Sequence, residues 1–117
     1  MNLIEEYIEL TKICAETNYS DKKSVKKHNK SVDRMYEIAE KIGYEMTDET
    51  IDDFKKLLDI KDYKTNIWAA VHMIERIPID KETENKAIDL IKEIAKGDTA
   101  EAMGFRYWLD DYKKNRK

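Results

Sequence analysis

His28 and His72 are the only histidines of this 117-residue chain, and Cys14 is its one cysteine. These three residues fall on separate periodic stretches. A zinc site needs clustered ligands such as C-x-x-C or H-E-x-x-H, and neither pattern occurs. A cysteine nucleophile needs a neighbouring base and an exposed setting. Cys14 instead follows Tyr7 and Thr11 at helical spacing, beside Ala15, and reads as a small core residue. Gly43, Gly97 and Gly104 stand too far apart for a phosphate-cradling loop. Asp59 and Asp62 lack the central glycine and terminal glutamate of a calcium loop. Glycosidase-type chemistry needs two carboxylates in a shaped cleft, one with a raised pKa. Pairs such as Glu5/Glu9 and Asp48/Asp52 lie on exposed helix faces. The expectation is a protein with no catalytic residues, no cofactor and no metal.

Two charged faces offer interaction chemistry instead. Lys22, Lys23, Lys26, Lys27 and Lys30 form a basic side that could meet phosphate. No aromatic or arginine residues interleave with it for base stacking or base-edge readout. Asp48, Glu49, Asp52 and Asp53 form an acidic cluster, which could imitate phosphates in the basic groove of a nuclease and speed association. Acids in a first turn also suit the helix dipole.

The elements that must position these groups are helical throughout. Charged residues make up 40% of the chain and apolar residues 41%, with three Gly and one Pro, so few tight hairpins and no β-sandwich are expected. Mean hydropathy is −0.80, no apolar run reaches the length of a membrane span, and the first residues carry acids where a secretory signal would not. A single cysteine suits a reducing compartment. The chain is expected to be cytoplasmic, with no membrane attachment.

Helix one is predicted over about 2–17, with Ile4, Tyr7, Ile8, Thr11, Cys14 and Ala15 inward. Helix two covers about 21–42, capped by Ser20 or Asp21 and ended by Gly43. Val25, His28, Val32, Met35, Ala39 and Ile42 form its seam. Helix three starts at Thr47 or Asp48 and turns Ile51, Phe54, Leu57 and Leu58 inward. Helix four, near 62–77, stops before Pro78. Asp80 caps helix five, which Gly97 closes. Asp98 with Glu101 makes a capping-box-like start to helix six.

The second half repeats weakly. Phe54, Leu57 and Leu58 correspond to Ala87, Leu90 and Ile91, and Ala69, Ala70 and Ile74 correspond to Met103, Gly104 and Trp108. In each copy a small residue precedes a bulky anchor by one turn, a device that lets a neighbouring helix come close. Asp59 to Leu109 resemble a pair of HEAT-type repeats.

More closely, the chain is similar to a family of short bacterial helical proteins known only as a domain of unknown function. The likeness rests on Asn29-Lys30 with Asp33, on Trp68-Ala-Ala-Val-His-Met73 and on Tyr107-Trp108-Leu109, and it spans about 25–113. Thr65-Asn66 stands where that family usually has Val-Arg. The resemblance implies relatives that serve as immunity factors beside secreted toxins.

The expected architecture is all-α: one 1–117 domain, a six-helix antiparallel stack (α-α superhelix), HEAT-like in its second half. It divides into an N-terminal helix pair, 1–43, and two helical hairpins, 47–113. The expected function is non-catalytic binding of another protein, most concretely neutralisation of a cognate toxin by occlusion. Partner contacts are assigned to Asp48, Asp52 and Asp53, to Trp68, and to the outward residues His72, Glu75, Arg106 and Asp110. The alternative is a nucleic-acid-binding module using the helix-two lysines. Oligomeric state is left open, with Tyr19, Tyr44 and Tyr63 as exposed aromatics that a homodimer could use.

Overall fold

Apolar residues at three- and four-residue spacing build six α-helices in the computed structural model, which describes residues 2–45 and 47–115. The ends of the expected 1–117 unit thus lie outside the described residues. The helices are α1 (Leu3–Ala15), α2 (Lys22–Glu45), α3 (Asp48–Lys55), α4 (Thr65–Arg76), α5 (Lys81–Ala95) and α6 (Ala100–Asn115). No strand occurs among the described residues. The all-α expectation holds.

Chain-order neighbours pack together, α1 on α2, α4 on α5 and α5 on α6. α4 is the hub, because it also meets α1 and α2. Contacted from several sides, it buries seven of its residues: Thr65, Asn66, Ile67, Ala69, Ala70, His72 and Met73. The small Ala69 and Ala70, both fully buried, let α4 sit among its neighbours. Tyr7, Met35, Ile38, Phe54, Leu57 and Ile91 fill the shared core around it. Cys14 belongs to that core, and burial pushes its thiol up to about 11. Ala15, expected inward, is exposed at the end of α1.

Several ends differ from the sequence expectation. α2 runs through Gly43 to Glu45, so Gly43 is not a C-cap, and no glycine among the described residues has positive φ. Its lack of a side chain serves a close crossing: a Cβ there would stand 2.3 Å from the Arg76 carbonyl oxygen. Helix three is cut short, and its Leu57 and Leu58 lie in a 3-10 turn, Lys56–Asp59, still buried. Helix six is capped by Thr99, whose Oγ1 accepts the Ala102 N–H at 3.0 Å, in place of Asp98. Asp80 caps α5 as expected, accepting the Thr83 N–H, and Ile77 before Pro78 is extended.

Gly104 does not repeat the device of Ala69 and Ala70. A Cβ on it would meet nothing within 4 Å, and Met103 beside it is exposed. The repeat therefore fails at this position: helix-on-helix contact there is not made through a small residue.

Candidate functional site

Gly104 opens instead onto a groove of about 430 Å³. α4 supplies its floor through Ile67, Trp68, Val71, His72 and Glu75. His28 and Tyr36 of α2 line one side, and Glu101, Phe105 and Trp108 of α6 the other. Tyr19, from the α1–α2 connection, and Lys64 also line it.

The groove is dominated by rings. Tyr19, His28, Trp68, His72 and Tyr36 follow one another with centroid separations of 5.8, 6.5, 5.9 and 4.3 Å. Trp108 stacks on Tyr112 at 5.7 Å with the planes 5° apart, which fixes its orientation. Both tryptophans of the chain line the groove. Rings offer flat, partly exposed faces at small cost in rotamer entropy, the property that places Trp and Tyr in binding surfaces.

Glu75 ties the three helices together. Its Oε2 accepts the Tyr36 hydroxyl at 3.0 Å and its Oε1 accepts the Trp108 indole N–H at 3.0 Å. Burial and the bond to this carboxylate push the Tyr36 hydroxyl up to about 12. The nearby cations are committed elsewhere: Lys64 bonds both oxygens of Glu101 at 2.7 Å, and Arg76 pairs with Glu40 at 3.2 Å while lying over the Tyr36 ring. Among the described residues no ion pair reaches the Glu75 carboxylate within 4.0 Å. Lys64 and the preceding Tyr63 hold left-handed backbone, φ 57° and 56°. For residues with a Cβ this costs about 1–2 kcal/mol each, strain of a kind that gathers at functional sites.

The structure sorts the expected contact residues. Trp68 and Glu75 are in the groove. His72 lines it too but is no outward contact: it is 1% exposed, and its Nδ1 lies 2.6 Å from the Tyr7 hydroxyl. The reason is that α4 has neighbours on several faces, so the side opposite one apolar stripe is still inside. Burial pushes the imidazole down to about 4, leaving it neutral. Arg106 is occupied by the end of α5, donating to the carbonyls of Ala95 (2.7 Å) and Gly97 (2.9 Å). Asp110 is exposed and outside the groove lining. Asp48 and Asp52 are exposed and Asp53 half-buried, away from the groove, and Asp52 and Asp53 lie 3.8 and 3.5 Å from Lys55 and Lys56.

Sequence reasoning missed Tyr36, Phe105, Trp108 and Gly104 as site residues, and placed His28 in the seam of helix two. His28 shares a hydrogen bond with Thr17 at 3.1 Å, and its ring also lines the groove. The cluster Phe105, Tyr107 and Trp108 beside a glycine was the available signal. Among the described residues no three His, Cys, Asp or Glu gather as a metal site, and no helix is long and apolar enough to cross a membrane.

No protein-family model, curated protein or solved structure matches the chain.

Proposed function

We propose that this is a non-catalytic binding module that takes a segment of a partner protein into the groove between α2, α4 and α6. The observation that carries this reading is the concentration of both tryptophans, Phe105 and a fixed carboxylate in one open, partly apolar cleft. Aromatic anchors in a concave, half-desolvated setting are what a partner's side chain can fill with the largest gain. Neutralisation of a cognate bacterial toxin by occlusion is the most concrete form of this function, and the cytoplasm its proposed place, in keeping with a single buried thiol. The exposed acids Asp48 and Asp52 offer a second, electrostatic contact.

One observation favours the nucleic-acid reading as an alternative. Lys22, Lys23, Lys26, Lys27 and Lys30 are all exposed, and no ion pair within 4.0 Å engages any of them among the described residues. Lys22 and Lys23 also stand in a first turn without acids, against the helix dipole.

Pull-down from native lysate with four proteins separates these readings. They are the wild type, Gly104→Leu to fill the groove, Asp52→Lys/Asp53→Lys, and Lys26→Glu/Lys27→Glu, each with and without nuclease. A protein captured stoichiometrically by the wild type, resistant to nuclease and lost with Gly104→Leu is the expected result. Capture that survives Gly104→Leu would remove the groove from the function. Nucleic acid recovered by the wild type and lost with the lysine variant would replace it with the alternative.

A further inference from the structure

Resting on the reading of the groove as the partner site, we infer that the partner side chain it receives is an arginine. Glu75 is held in place by two neutral donors, one from each wall, and each of its oxygens keeps a further lone-pair site. A carboxylate arranged this way has its position fixed without having its charge answered. Lys64, a cation of the groove lining, and Arg76, the residue after Glu75, are bound to Glu101 and Glu40. The groove's charge balance is therefore negative: Glu75 and Glu101 against Lys64.

The remaining lining selects among cations. A guanidinium is planar, can offer two parallel N–H groups to one carboxylate, and stacks on aromatic faces while its weak hydration lowers the cost of entry. Trp108, bonded to Glu75, and Trp68 and Phe105 elsewhere in the lining supply such faces. An ammonium can meet both oxygens of a carboxylate, as Lys64 does at Glu101, but it is strongly hydrated and has no plane to stack on the flat walls. Gly104 leaves the entry open where any larger residue would project into it.

The test is a titration of tryptophan fluorescence, because both tryptophans line this groove. The probes are acetyl-Gly-Arg-Gly-amide, the same peptide with citrulline, which has arginine's shape without its charge, and the same peptide with lysine. Saturable change with the arginine peptide at millimolar concentration is expected, with binding weaker by about tenfold for citrulline and by a similar factor for Glu75→Gln. The citrulline and lysine arms use the wild-type protein, so folding of a variant does not enter. Equal binding of citrulline would overturn the arginine assignment while leaving a groove that binds an uncharged segment. Equal binding of lysine would show that charge alone is read and would overturn it too. No saturable change with any peptide up to about 10 mM would show that the groove takes no cation. The partner reading would then stand or fall on the pull-down with Gly104→Leu.

Discussion

The Tyr7 hydroxyl and Nδ1 of His72 lie 2.6 Å apart in the buried centre of the protein, joining α1 to α4 across 65 residues. Desolvation there opposes the imidazolium, so the folded histidine takes a proton only near 4, against 6.5 for a free one. Between those values the unfolded state holds more protons, and stability falls as pH falls. The expected loss is about 3 kcal/mol between pH 7 and pH 4, read from urea unfolding. His72→Gln should flatten that slope. A slope unchanged by this substitution would assign it to other groups.

Gly43 and Gly104 should respond oppositely to the same change. Alanine favours a helix interior by about 1 kcal/mol over glycine, so Gly104→Ala, with open space around its Cβ, should stabilise by about that amount. Gly43→Ala drives a methyl into the Arg76 carbonyl, a backbone atom that cannot swing aside, and should cost about 2 kcal/mol or more. Denaturant unfolding of the two variants checks both signs. Stabilisation by both would disprove the close crossing of α2 and α4.

Thr11 and Thr65, both fully buried, share a hydrogen bond of 2.7 Å, and their hydroxyls also lie within bonding distance of the carbonyls of Ile8 and Asp62. Thr11→Val should cost about 1–2 kcal/mol by leaving a buried hydroxyl short of one partner. The double change to valine should cost less than the sum of the single changes, by about 0.5 kcal/mol or more in a double-mutant cycle. Simple additivity would mean the two hydroxyls act independently.

Replacing Lys22 and Lys23 by glutamate should raise stability by about 0.5–1 kcal/mol at low ionic strength, with the gain shrinking as salt is added. The change puts acids in a first turn that has none. Thermal unfolding at two salt concentrations measures it. A loss of stability would show that these lysines hold a structural contact.

The sequence made the elements legible because each depends on local chemistry. Three- and four-residue spacing marks the helices, Asp80 and Thr47 mark starts, and Pro78 forces Ile77 to be extended. His72 was misjudged because a helical wheel with one apolar stripe assumes one neighbour, and α4 has several. Gly43 and Gly104 are indistinguishable as letters; only the position of the Arg76 carbonyl gives one of them a steric task. The groove was legible in part, through Trp68 and Glu75. Tyr36 and Trp108 join it only once α2 and α6 are brought to opposite ends of one carboxylate.

The partners of α1 impose an order on synthesis. His72 and Thr65 follow Tyr7 and Thr11 by 65 and 54 residues. At about 5–20 residues per second, those hydroxyls wait roughly 3–13 s for their bonding partners. α1 can lean on α2 in that interval, but the polar half of its inner face stays unanswered until α4 has left the ribosome. α1 is therefore made well before the helix that finishes it.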